Sequence, residues 1–437
     1  MNYNLVDFFE YSNKQIKNTI VNNKIINSSM IPVIASSNLI LDNSILDTLS
    51  LGYRPILFDP SAINIFSDLL ANFDFDYILT ENKLISNLNQ LDTTAKIITI
   101  NDLQALEYEN KRNIIYFLTS GSTGKAKLVE KTIDNLLSEA IVLKDIFQFL
   151  NTDIVVSSVP LCHIYGFLFS YLTPSIAKSK IVCTDNLSKL ITNLKENKAS
   201  IWITVPSVIN ALIPILDEND SNSLRLIVSS GSKLSRKSAE KISDLTGAKV
   251  IEMYGSTETG GIATLDTVNS DSYTLLPSVS ISISTMGNIS VKSPFVSEKI
   301  LSVDSEQLLL DENSYYHTND LGYLEAEKLY LEGRNDRIVK IRGKRISLDF
   351  VEKSLANIEF IDDICVISNQ EQDETDLIAF IKLNNPETTK SIKVEALKII
   401  PDFMLPKHFI KVEEFPRLSN GKINYKLLKD KIVEIKA

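Results

Sequence analysis

Cysteine and histidine are scarce in this sequence, three of each in 437 residues. Cys162, Cys183 and Cys365 are scattered and form no C-x-x-C pair. That argues against a disulfide framework and a cysteine zinc site, and it fits a reducing compartment. So few histidines make histidine-rich metal chemistry a poor reading. Positive charge is also in deficit, with 45 Lys+Arg against 55 Asp+Glu and a net charge of −10. An acidic chain is poorly matched to nucleic acid or an anionic membrane. The first residues, "MNYNLVDFFEYSNKQ", carry acids early and lack the apolar core of a signal peptide, so a cytoplasmic location is expected. Repeats and low-complexity tracts are missing as well. From Ile154 to Ala177 the only ionisable charge is His163. A spanning helix needs about 20 predominantly apolar residues. Ser157, Ser158, Pro160, His163, Gly166 and Pro174 interrupt this run, which therefore reads as a buried strand, a loop and a buried helix, with no membrane span.

What is present is an ordinary globular composition, 44% hydrophobic and 23% charged. Short β-branched runs alternate with longer helical patterns. "IPVIAS" (31–36), "RPILFD" (54–59), "YILT" (77–80) and "KIITI" (96–100) read as strands, and "SAINIFSDLLANF" (61–73) as an amphipathic helix. The alternation continues through "DIVVSSVP" (153–160), "KIVCT" (180–184), "SIWITVP" (200–206), "LRLIVSSG" (224–231) and "KVIEMYG" (249–255). This is the signature of an α/β fold with parallel-rich sheets flanked by helices. Helices thin out after about residue 270, and "SISISTMGNISVKSP" (280–294) alternates like a hairpin. The last hundred residues read as a small α+β unit. A large domain is expected at 1–332 and a small one at 339–437, with the boundary near Gly333–Asp336 in the stretch 333–338.

The most chemically loaded stretch is "LTSGSTGKAKLVEKT" (118–132). A Walker A loop needs glycine, four residues, then Gly-Lys-Ser/Thr. Here Thr119 stands at the first glycine and Ala126 at the magnesium-binding hydroxyl, so this is another kind of phosphate loop. Further motifs follow: "MYGSTETGG" (253–261), "YHTNDLGYL" (316–324), "GRNDRIVKIRGKRIS" (333–347) and "PRLSNGKINYKLL" (416–428). In this order they resemble the core motifs of the adenylate-forming, AMP-binding superfamily of acyl- and aryl-CoA synthetases, carrier-protein synthetases, peptide-synthetase adenylation domains and luciferases. The likeness runs from Thr119 to Lys426.

The resemblance implies ATP and Mg2+ as cofactors, and a two-step reaction. A carboxylate attacks the α-phosphate of ATP, and a pantetheine thiol of a carrier protein or CoA then takes the acyl group. Two anions meet in the first step, so cations and preorganised donors are needed. Thr119, Ser120, Gly121, Ser122, Thr123, Gly124 and Lys127 would hold the β- and γ-phosphates. Gly231 and Ser232 in "SSGSK" would line the adenine, Tyr254 and Gly255 would lie against it, and Thr257 would touch the α-phosphate. Glu258 matches a magnesium ligand, a hard oxygen for a hard cation. Asp320 and Arg334 match ribose-binding residues, Asp336 a hinge, and Gly343 the mouth of a thiol tunnel. Lys422 matches the lysine that delivers a cation to the adenylation transition state. In "PLCHIYGF" (160–167), His163 occupies a gate position. Amino-acid-activating members carry an aspartate nearby to pair the substrate ammonium, and no acid lies between Ile154 and Lys178. A fatty or aromatic acid is therefore expected, in a pocket walled by Tyr165, Trp202, Val205, Pro206 and Ile262.

The chain departs from the superfamily pattern at several positions. Asn319 replaces a glycine, Ala126 and Leu128 replace the usual Pro and Gly around Lys127, Ser347 stands for a glutamate and Tyr425 for an arginine. Only 118 residues precede Thr119, which implies a trimmed N-terminal part and a short stand-alone form. Two other readings stay open, an amino-acid adenylation protein and a nucleotide-binding protein with a degenerate ligase fold.

Overall fold

Strand runs that lack a polar face should end up covered on both sides, and they do. The computed structural model describes residues 30–34, 54–58, 75, 77–80, 96–99, 114–120, 126–184, 186–217, 223–302, 305–341, 343–371, 374–383, 389–417 and 423–436. These form two compact units. One holds the described residues up to Ser280 and Val291–Tyr316; the other holds Ile281–Ser290, 317–417 and those from Ile423 onward. The strands are β1 (Met30–Ile34), β2 (Arg54–Phe58), β3 (Tyr77–Thr80), β4 (Lys96–Thr99), β5 (Ile114–Ser120), β6 (Ala126–Thr132), β7 (Ile154–Ser157), β8 (Lys180–Cys183), β9 (Ile201–Thr204), β10 (Leu226–Ser229), β11 (Lys249–Ser256), β12 (Gly260–Asp266), β13 (Tyr273–Leu275), β14 (Ser280–Ile283) and β15 (Asn288–Lys292). There follow β16 (Lys299–Ser302), β17 (Ser305–Leu308), β18 (Tyr316–Glu325), β19 (Lys328–Arg334), β20 (Ile338–Ile341), β21 (Lys344–Ser347), β22 (Ile361–Glu371), β23 (Glu374–Leu383) and β24 (His408–Lys411). The expected helix at 61–73 lies outside the described residues.

In the first unit one sheet has the order β17-β16-β6-β5-β2-β1-β3-β4. Its β5–β6 pair is antiparallel, with Thr119 opposite Lys127. A second run of strands has the order β13-β12-β11-β10-β9-β7-β8. From β8 to β11 every neighbouring pair is parallel, whereas β12 returns antiparallel to β11. The chain leaves β7 for β8 on one side, then comes back to the other side of β7 as β9. The strand order therefore reverses between β7 and β9. Open α/β sheets bind ligands outside the strand carboxyl ends at such a switch point.

The amino ends of these strands are tied together by a single carboxylate. Asp153, just before β7, accepts from Ser200 Oγ at 2.7 Å, from Leu150 N at 2.8 Å and from Arg225 Nη2 at 2.8 Å. Ser200 precedes β9 and Arg225 precedes β10, so three strands start from one knot. Burial would raise the Asp153 carboxyl, but the hydrogen bonds from Arg225, Leu150 and Ser200 hold it below its ordinary range. One face of the sheet packs under helices Leu187–Glu196, Pro206–Leu212 and Arg236–Thr246, around Trp202, Ile227 and Val250.

The run from Ile164 to Ala177 is a short helix (Ile164–Phe167), a π turn (Leu168–Leu172) and a second short helix (Thr173–Ala177). It is largely buried, as expected. No helix among the described residues is long and apolar enough to cross a membrane.

In the second unit β18 and β19 pair antiparallel, as do β20 and β21 and the long β22 and β23. Helices Leu348–Leu355 and Thr389–Ile399 cover one face of β22–β23 around Val351, Leu355, Val366 and Ala379. Phe380, Ile367, Leu428 and Ile432 pack on the other, the last two from helix Tyr425–Lys436. Residues 333–338 lie inside this unit. Gly333 has φ +135°, and a Cβ there would come within 2.6 Å of Asp349 Oδ2, so the strand end needs glycine.

Candidate nucleotide and acid site

The carboxyl ends of β7, β9, β10 and β11 gather most of the motif residues of the first unit. Register aligns Ser157 with Ile203 and Ser229 with both Thr204 and Glu252. The ends of β7, β9 and β10 are therefore level to within about one residue, and β11 runs on beyond them to Ser256. Just beyond them come His163 and Tyr165 after β7, Val205 after β9, Gly231 and Ser232 after β10, and Tyr254 to Glu258 at the tip of β11. Gly231 has φ +88° and, like Ser232, is exposed.

His163 is the N-cap residue of helix Ile164–Phe167, and its side chain makes no capping bond. The Tyr165 hydroxyl donates towards Thr204 O at 3.1 Å and Val228 O at 2.8 Å. Burial pushes its pKa well above the ordinary phenol value. Thr257 and Glu258 ride the turn that joins β11 to β12. Ser256 N donates to Thr259 Oγ1 at 3.0 Å and Thr259 N to Ser256 Oγ at 3.2 Å, which keeps the turn tight.

Beneath Tyr254 lies a second layer that the motifs did not reveal. The Tyr254 ring packs edge-on against Tyr273, centroids 5.7 Å apart. The Tyr273 hydroxyl donates to Glu252 Oε1, and Glu252 Oε2 accepts from Leu234 N at 2.7 Å. One buried carboxylate thus joins β11, the turn after β10 and the ring behind Tyr254. Burial raises its pKa above the ordinary carboxylate value, against the hydrogen bonds from Tyr273 and Leu234.

A further buried pair sits under the Glu258 turn. Lys131 on β6 donates to Phe295 O at 2.5 Å and to Glu258 O at 3.1 Å. Glu139, on helix Ile133–Ile146, accepts from Gly261 N at 2.7 Å. Burial pushes the lysine down and the glutamate up, and their mutual attraction opposes both shifts. A sequence signal for Glu139 did exist. It shares a helical stripe with Leu136, Ala140 and Leu143, where a carboxylate is out of place.

Trp202, expected at the pocket wall, is fully enclosed in the helix-covered core. The parity of β9 puts it on the face of Ile227 and Val250, and its Nε1 lies 3.4 Å from Ser158 Oγ. Ile262 is 1% exposed and Val205 8%. Thr119 and Lys127 face each other across β5–β6, and Ser120 ends β5. Gly121, Ser122, Thr123, Gly124 and Lys422 lie outside the described residues.

In the second unit Asp320 and Arg334 are cross-strand partners, with Arg334 Nη1 donating to Asp320 Oδ1 at 3.0 Å. Arg334 also donates through Nε and Nη2 to the two oxygens of Asp336, both at 2.9 Å. The expected ribose and hinge residues therefore form one cluster. Asp349 takes Arg334 N at 2.8 Å and pairs with Arg337. Arg337 Nη1 donates to the Tyr425 hydroxyl at 2.9 Å, its guanidinium 5.3 Å from that ring. Gly343 closes the β20–β21 hairpin at φ +82°.

Among the described residues no group of three His, Cys, Asp or Glu could cage a metal. Glu258 is a single hard oxygen donor on a half-buried turn. That donor set suits a magnesium ion that draws its other ligands from phosphates and water.

An α/β sheet that carries these motif residues at its strand carboxyl ends, beside a switch point, fits an adenylate-forming, ATP-using ligase of the AMP-forming kind. The profile of the AMP-binding enzyme family matches residues 74–293, and the chain belongs to that family. Among curated proteins it is similar to the D-alanine--D-alanyl carrier protein ligase of Lactococcus lactis subsp. lactis (strain IL1403), 27% identical and covering 85% of this chain and 80% of that protein. The ligase so named from Staphylococcus aureus (strain MRSA252) is 26% identical, covering 83% and 80%. Among solved structures, ATP-bound MatB from Rhodopseudomonas palustris superposes with a TM-score of 0.77 at 17% identity, covering 98% and 92%. O-succinylbenzoate coenzyme A synthetase (MenE) from Bacillus subtilis, in complex with AMP, gives 0.76 at 20%, covering 92% and 88%. These two likenesses concern the fold.

Proposed function

We propose that this ligase activates a carboxylic acid without an ammonium group and passes the acyl group to the pantetheine thiol of a carrier protein, with CoA as the second candidate acceptor. In the first step a carboxylate oxygen bonds to the α-phosphorus of ATP as the bond to pyrophosphate breaks. In the second the thiol sulfur, losing its proton, bonds to the acyl carbon, and AMP leaves with the electron pair of the broken carbon–oxygen bond. Bound magnesium would neutralise phosphate charge, and Glu258 is the residue proposed to hold it.

The chain's own groups divide the remaining work. Lys127, Thr119, Ser120 and the 121–124 hydroxyl loop hold phosphates. Tyr254, Gly255, Gly231 and Ser232 frame the base, and Thr257 meets the α-phosphate. Asp320 and Arg334 hold the ribose, and Lys422 brings a positive charge to the phosphorus. His163 gates the acid, Asp336 is the hinge on which residues 339–437 turn against 1–332, and Gly343 lies at the thiol entrance.

The observation that carries this reading is the carboxyl edge beside the β7/β9 switch point, where four separate strand ends deliver motif residues. The choice of acid rests on charge. A buried ammonium needs a paired carboxylate, and residues 154–178 supply none. The described buried acids of this unit are already engaged, Glu252 by Tyr273 and Leu234, Glu139 by Gly261, and Asp153 by Arg225, Ser200 and Leu150. The relatives' names support the carrier-protein acceptor. So does a cluster of exposed cations, Lys340, Lys344 and Arg345, on the β20–β21 hairpin. Those same names favour D-alanine as the competing substrate.

Pyrophosphate exchange with D-alanine, L-alanine, short and medium fatty acids and benzoates tests the choice. The expected result is exchange with an acid lacking the amino group and little with alanine. Preferential exchange with D-alanine would replace this reading by the amino-acid one, and exchange with no acid would favour a degenerate ligase fold.

A further inference from the structure

We propose that Lys131 and Glu139 form a buried two-ended clamp that positions the Glu258 turn for the metal–nucleotide complex, a role that rests on the reading above. Both residues are almost wholly enclosed, at 0% and 2% exposure. They lie on consecutive elements, β6 and the helix Ile133–Ile146 that follows it. The cation grips the carbonyl of Glu258 and that of Phe295; the anion grips the amide of Gly261. The backbone between these two grips is the stretch that begins with Glu258. Ser297 N adds a third bond, to Glu258 O at 2.8 Å.

The approach of chain to carboxylate is close. A Cβ at Gly260 would lie 2.4 Å from Glu139 Oε2, and one at Gly261 would lie 3.1 Å from Glu139 Oε1. Only glycines let the turn settle onto the acid. Packing alone gives no reason for charge here, because apolar residues of similar volume fill a core at lower cost than a buried ion pair. Charge adds direction. It fixes one carbonyl and one amide, and hence where the Glu258 Cα stands. β6 also carries Lys127, four residues before Lys131 and so on the same strand face. The strand that ends the phosphate loop therefore also fixes the height of the turn bearing Glu258.

The test uses the full chain with Lys131→Met, Glu139→Gln and the double variant, beside Glu258→Gln. Each single change leaves one buried charge unpaired, so the double variant separates positioning from folding. Two quantities are read besides the thermal midpoint. One is the Mg2+ concentration for half-maximal pyrophosphate exchange. The other is the extra rise in midpoint that ATP gives with Mg2+ over ATP with EDTA, which needs no catalysis.

The double variant should melt near the wild type yet need about tenfold more Mg2+, the lower end of what losing a residue behind a metal ligand costs. Its metal-dependent rise in midpoint should shrink, and KM for the acid should not move. Should the double variant not fold, Glu139→Gln, which keeps an acceptor for Gly261 N, should show the same shift in smaller measure. Wild-type Mg2+ dependence and a wild-type rise in midpoint in the variants would overturn the clamp. An unchanged Mg2+ dependence in Glu258→Gln would overturn both the clamp and the metal role, while leaving the ligase reading intact. No exchange in the wild type would sink the ligase reading instead, and the rise in midpoint would still decide the clamp.

Discussion

Glu252 takes both of its hydrogen bonds from neutral donors, the Tyr273 hydroxyl and Leu234 N. Without a bonded cation, burial dominates and the folded pKa stands above the ordinary value near 4.5. A raised carboxylate pKa means that the fold binds its proton more tightly than the unfolded chain does. The resulting stability is complete below about 4.5 and is lost as pH climbs through the folded value. Glu252→Gln removes this contribution while keeping a carbonyl acceptor for one of the two donors, and the Tyr273 hydroxyl can turn to accept from the new amide. The unfolding free energy of the wild type, relative to that of Glu252→Gln, should therefore fall as pH rises from 4.5 towards neutrality. Urea titrations across that range would measure it, and parallel curves would refute it. The motifs gave no warning of this residue, although it sits two positions before Tyr254. A motif marks residues that would touch the nucleotide, whereas Glu252 acts through Tyr273 and Leu234, which are distant in sequence.

Helix Ile133–Ile146 sets the angular position of Glu139, so its start matters. Thr132 is its N-cap. The Thr132 hydroxyl accepts from Asn135 N at 3.1 Å, and Asn135 Oδ1 accepts from Thr132 N at 3.0 Å. Thr132→Ala should cost about 1 kcal/mol, seen as a lower denaturant midpoint with an unchanged slope, and no loss at all would mean that the box is idle. Strand existence was legible throughout the parallel sheet, because β-branched runs such as "IWIT" and "LIVS" have no other easy use. The facing of those strands was not. A fully buried strand carries apolar residues on both sides, so nothing in "SIWITVP" tells which side Trp202 takes; the neighbours Ile227 and Val250 decide it. The β18–β19 pairing that sets Asp320 opposite Arg334 was equally hidden. Register between two strands is a property of the pair, while the motifs "YHTNDLGYL" and "GRNDR" were read one at a time.

For the whole molecule the proposed hinge gives the sharpest expectation. Asp336→Pro fixes φ near −65° and also removes one of the two carboxylate partners of Arg334, so Asp336→Asn serves as a control that leaves the backbone free. The proline variant should still form adenylate, read by pyrophosphate exchange, and should transfer it to a thiol at least tenfold more slowly than the asparagine variant; a tenfold slowing corresponds to about 1.4 kcal/mol of barrier. Equal transfer rates would place the pivot elsewhere. Tyr425 bears on a different problem, the building of hybrids between family members. It stands where the superfamily pattern has arginine, and its hydroxyl and ring are both engaged by Arg337. These two positions are 88 residues apart in sequence, so a crossover anywhere between them would separate a matched couple. A donor segment that begins before Arg337 and runs past Tyr425 carries its own lock and key. One that begins at β22 imports a stranger to each, and such hybrids should be recovered as insoluble or inactive protein more often than those joined upstream of residue 333.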